Sequence, residues 1–73
     1  MPPRNWRLRI EDMLDAADAI VRFVEGVDFE TFRQDRKTVD AVIRNLEVIG
    51  EAARHVPDSV REQFTEIPWA DIV

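Results

Sequence analysis

The apolar spacing within residues 40–56, DAVIRNLEVIGEAARHV, most constrains how this chain can fold. Apolar side chains recur there and just upstream at alternating intervals of three and four residues, at Val39, Val42, Leu46, Ile49, Ala53 and Val56. That interval matches the period of an α-helix with one apolar face, and charged residues occupy the opposite face. The segment therefore predicts a long amphipathic helix, which Pro57 ends.

A second helix of the same kind is predicted upstream, over residues 5–25. Its apolar side chains again alternate at three and four residues: Trp6, Ile10, Met13, Ala17, Ile20 and Val24. Gly26 follows, and glycine readily adopts the left-handed conformation that ends helices. Within the later helix, Asp40 and Arg44 have the spacing of a favourable ion pair.

Short elements are predicted around these two helices. Asp28 can cap a helical turn that presses Phe29 and Phe32 onto the core, and Asp35 can cap the second long helix. Residues 58–64 predict a short capped helix, and the sequence Ile67-Pro68-Trp69 begins another, because proline is well tolerated in a first turn.

These elements predict an all-α fold, an antiparallel helical hairpin with short extra helices, in a single domain over residues 1–73. Two helices cannot hide both apolar faces, so we expect a dimer that completes a four-helix bundle. The residues expected to pack in the core or dimer interface are Ile10, Met13, Ile20, Val42, Leu46, Ile49 and Gly50. Gly50 lowers helix propensity by about 1 kcal/mol relative to alanine, and is expected to allow a close helix contact.

Composition narrows the function. The chain has no cysteine, and its net charge of −5 disfavours general nucleic-acid binding, which relies on cations that neutralise phosphates. The basic cluster Arg4, Arg7 and Arg9 is read as a solvated helix start. Neither a signal peptide nor a membrane span is predicted, so a cytoplasmic protein is expected.

Few side chains suggest chemistry of their own. The sole histidine, His55, is interpreted as a solvated residue at a helix end. Glu11, Asp15 and Asp18 share one helix face, and a solvated acidic surface is favoured over a metal site. No metal or cofactor is predicted. Trp6 and Trp69 are interpreted as core residues rather than base-stacking residues.

Four parts of the sequence resemble the HepT-like branch of the HEPN superfamily, the toxin half of a prokaryotic toxin–antitoxin pair. They are the Arg7-Leu8-Arg9-Ile10 opening, Phe29-Glu30-Thr31-Phe32, the block over residues 40–53, and Glu66-Ile67-Pro68-Trp69. The resemblance implies a dimeric helical bundle and metal-independent cleavage of cellular RNA. It also implies a partner, a minimal nucleotidyltransferase antitoxin that silences the toxin by adenylylating a tyrosine.

The family's catalytic motif is an arginine, four to six residues, a histidine, any residue and a tyrosine, on the helix after Ile-Pro-Trp. The chain departs from it: the positions of the motif arginine relative to His55 hold Val48, Ile49 and Gly50, and there is no tyrosine. We therefore expect no catalytic residue in this chain, which reads as truncated before the motif helix. RNA is then a substrate only of a full-length relative.

Asn45 and Glu51 remain as polar residues that could support the family's catalytic pair. The alternative is structural: a hydrogen bond from Asn45 to another helix, and a surface pair of Glu51 with Arg54 or His55. Three functions follow: the helical part of a HepT-like toxin, inactive alone; a non-catalytic binding subunit of a nucleotidyltransferase; or a helical dimerisation fragment.

Overall fold

The computed structural model describes residues 5–73, which form five α-helices and contain no strand. In chain order they are α1 (Trp6–Val24), α2 (Phe29–Gln34), α3 (Arg36–Arg54), α4 (Asp58–Arg61) and α5 (Trp69–Ile72). The predicted all-α fold and its two long helices are confirmed. Arg4 lies outside the described residues.

The ends of the long helices follow the predicted signals. The side chains of Asn5, Asp28 and Asp35 each accept a hydrogen bond from a backbone N–H in the first turn of α1, α2 and α3. These bonds lower the pKa of Asp28, through the backbone and then the hydroxyl of Thr31. The pKa of Asp35 is lowered as well, first by the hydroxyl and then by the backbone of Thr38. Gly26 has a φ of 71°, the left-handed conformation expected after α1.

α1 and α3 pack against each other as the hairpin, and the chain after α3 folds back over the end that holds the start of α1. The buried core lies at this end, where Ala53, Val56, Val60 and Trp69 meet. Trp6, Ile10, Met13, Ile67 and Ile72 pack against that core while partly exposed. Both tryptophans thus pack at the core, as predicted.

The phase predicted for α1 is right except at one position. Ala16 is buried and the predicted Ala17 is exposed, because the contact with α3 lies to one side of the apolar stripe. Ile10, Met13 and Ile20 on α1 are half-buried, as are Val42 and Ile49 on α3.

Three further details correct the sequence-based expectations. Phe29 is 71% exposed and does not reach the core, although its ring lies 6.4 Å from that of half-buried Phe32. Asp40 pairs with Arg36 at 3.7 Å instead of with Arg44. Asp58 is the first residue of α4, and no side chain caps this helix.

The structure shows which backbone lies close to Gly50. A Cβ atom added there would lie 3.3 Å from the carbonyl oxygen of Ile72, so α5 crosses α3 at this glycine. The contact is tight but not prohibitive for a methyl group, whereas a larger side chain has to displace α5.

We expect Gly50→Leu to destabilise the fold by about 1–3 kcal/mol, the usual cost of overpacking, even though leucine favours helix more than glycine does. Thermal unfolding followed by circular dichroism measures this. Gly50→Ala is the matched control and should change the melting temperature little, because its gain in helix propensity offsets the tight contact. A higher melting temperature for Gly50→Leu would contradict the close packing of α5.

Candidate functional site

Of the polar residues singled out in the sequence, Glu51 of α3 lines a groove between α1 and α3. This charged groove is lined by Arg9 and Asp12 of α1 and by Arg44, Glu47, Val48, Glu51 and Ala52 of α3, with a volume of about 250 Å³. Arg9 Nε is shielded from solvent and has no hydrogen-bond acceptor among the described residues. Two arginines and three carboxylates make the groove mixed in charge, a poor surface for a phosphate backbone.

Glu51 lies at the end of the charged groove and contacts two basic side chains at the end of α3. One carboxylate oxygen, Oε1, lies 3.1 Å from Nε2 of His55, and Oε2 lies 3.1 Å from a terminal nitrogen of Arg54. Sequence reasoning offered these two pairings as alternatives, and the structure contains both.

The same contacts decide what Glu51 can do chemically. The hydrogen bond with His55 and the charge of Arg54 lower the pKa of Glu51, and Arg9 adds a smaller contribution. A carboxyl group with a lowered pKa stays ionised at neutral pH, so Glu51 can accept hydrogen bonds but cannot act as a general acid there.

His55 has a carboxylate partner in Glu51, one turn earlier in the chain. When Nε2 carries the proton it donates to Glu51, and Nδ1 is then the basic nitrogen. The side chain is 49% exposed, on an open helix end. Enzymes that transfer protons place such a histidine beside a bound substrate in a cleft, and this one lines neither the charged groove nor the hollow around Trp6 and Trp69.

Asn45 does not face a site. Its side-chain nitrogen donates to the carbonyl oxygen of Ala41, 2.8 Å away and one turn earlier in the same helix. Asn45 is half-buried, and its partner belongs to its own helix rather than to another helix as expected.

Arg61 is a structurally important residue that sequence reasoning missed. It donates to the carbonyl oxygens of Ala53, at 2.8 Å, and Val56, at 3.1 Å, in the last turn of α3 and just after it. Its guanidinium also lies 5.7 Å from the ring centre of Trp69, whose indole N–H donates to the Phe64 carbonyl oxygen. Arg61 therefore connects the end of α3 to α5.

The acidic face of α1 does not form a metal site. Across residues 5–73, no three histidine, cysteine or acidic side chains are grouped so that they could hold an ion. Asp18 pairs with Arg22 at 3.2 Å. Nor does any helix of the described chain have the length and apolar character needed to cross a membrane.

Comparison with known proteins identifies the family. The family model described as "Ribonuclease HepT-like" matches residues 13–73, which is most of the chain. The chain belongs to the HepT-like ribonuclease family. The resemblance carried by residues 40–53 and by Ile67-Pro68-Trp69 is thus confirmed.

Individual relatives agree with this assignment. The HepT-like chain is 41% identical over 69 residues to a protein of Thermococcus cleftensis named "Probable ribonuclease HepT", covering 94% of this chain and 63% of that protein. Two Methanocaldococcus jannaschii proteins with RNase in their names are 38% and 34% identical, over 94% and 100% of this chain and 57% and 67% of their own lengths. The chain thus spans about three-fifths of these relatives. No solved structure matches it.

Proposed function

We propose that these 73 residues are the self-associating helical part of a HepT-like toxin and do not cleave RNA by themselves. The observation that carries this proposal is the environment of the only histidine. His55 is paired with Glu51 at the exposed end of α3, where the family motif requires an arginine separated from the histidine by four to six residues and a tyrosine two positions after the histidine. Metal-free RNA cleavage needs groups that move protons and neutralise the phosphate, and this pair supplies at most the first.

In this proposal, cellular RNA is cut by a HepT-like ribonuclease that carries the full motif. Its partner is a minimal nucleotidyltransferase antitoxin, and the pair forms a cytoplasmic toxin–antitoxin system. Family membership supports these roles. The charged groove, with cations and carboxylates side by side, suits contact with a protein better than contact with RNA.

Self-association is supported by a strip of exposed apolar side chains. Ile10 of α1 packs at the core beside Ala53 of α3, and Gly50 lies under α5. Further along the same sides of these helices lie four large apolar residues that are about half exposed or more within residues 5–73, which we call the apolar strip: Leu14 (64% exposed), Val21 (62%), Ile43 (47%) and Leu46 (55%).

The shape of the molecule supports the same conclusion. Its smallest extent is 16 Å, close to one layer of helices, and domains normally bury a core between two layers. A second copy placed on the apolar strip would supply the second layer and complete a four-helix bundle. A contiguous exposed apolar surface on so small a domain is typical of an interaction site.

We expect the purified protein to leave tRNA and mRNA intact between pH 5 and 9, because the arginine and tyrosine of the motif have no counterpart around His55. Gel analysis of labelled RNA after long incubation is the measurement, with buffer alone as the blank. Cleavage above the blank that disappears in both His55→Ala and Glu51→Gln would refute the proposal and assign the active site to this pair.

The alternative is a non-catalytic binding subunit of a nucleotidyltransferase. The charged groove favours it, since charges of both signs can be matched by complementary charges on a protein partner. Calorimetric titration with a minimal nucleotidyltransferase separates the two functions. Binding without RNA cleavage by the two proteins together would favour the binding subunit. Failure to bind would favour the third function, a helical dimerisation fragment.

A further inference from the structure

We draw no further inference here: the strongest candidate, the apolar hollow around Trp6 and Trp69 that Ile10, Phe64 and Ile67 also line, carries none because nothing in the structure of residues 5–73 shows what covers it.

Discussion

Leu46→Glu is expected to dissociate the protein into monomers or unfold it, the largest effect of any single surface substitution in this chain. Leu46 lies in the apolar strip and is 55% exposed, so the isolated hairpin tolerates a polar side chain there. In a dimer the same position is buried. Losing the burial of one leucine costs about 1.5–3 kcal/mol, and a carboxylate without a partner adds to this, twice per dimer.

Light scattering at micromolar concentration is the measurement. For the unchanged protein, the measured mass should be about twice the chain mass of 8.5 kDa. For Leu46→Glu, it should equal the chain mass, or the protein should be unfolded. Arg44→Glu is the control: it places the same side chain on α3 two residues away, on the opposite side of the helix, in the charged groove. A well-folded monomer of the unchanged protein at this concentration would contradict the dimer directly.

Arg61→Ala is expected to cost the fold about 3 kcal/mol or more, enough to unfold much of so small a domain at room temperature. The substitution removes the charged donor from the carbonyl oxygens of Ala53 and Val56 and leaves Ala53 with the backbone N–H of Val56, and a hydrogen bond from a charged donor contributes about 1.5–3 kcal/mol. It also removes the cation from the Trp69 ring, so α4 and α5 lose their link to α3.

Chemical denaturation followed by circular dichroism measures the loss. Arg61→Lys is the informative control, because an ammonium group keeps the charge but cannot reach two carbonyl oxygens in the geometry of a guanidinium. It should lie between the unchanged protein and Arg61→Ala. Arg22→Ala removes an arginine whose only recorded contact is a solvated ion pair, and should change stability by less than about 0.5 kcal/mol. Equal stability of Arg61→Ala and Arg22→Ala would contradict the capping role.

Some features of the candidate site depend on residues close together in the sequence, and others depend on how the helices pack. The Glu51–His55 pairing could be predicted because residues four apart on a helix are neighbours wherever the helix packs. The charged groove could not, since it exists only where Arg9 of α1 comes opposite Arg44 of α3. The absence of the family motif needed no structure, because the sequence contains one histidine and no tyrosine.

The sequence by itself determined the elements of this fold: the two long helices, their caps at Asp28 and Asp35, and the left-handed Gly26. Each depends on residues within one or two turns of each other, so local spacing carries the information. Only the tertiary structure decided that Ala16 is buried instead of Ala17, that Phe29 stays in solvent and that Arg61 caps α3. Adjacent residues on a helix differ by about 100° in direction, so the placement of the neighbouring helix chooses between them. Arg61 meets Ala53 only because the chain turns back after Pro57, and no local pattern records that contact.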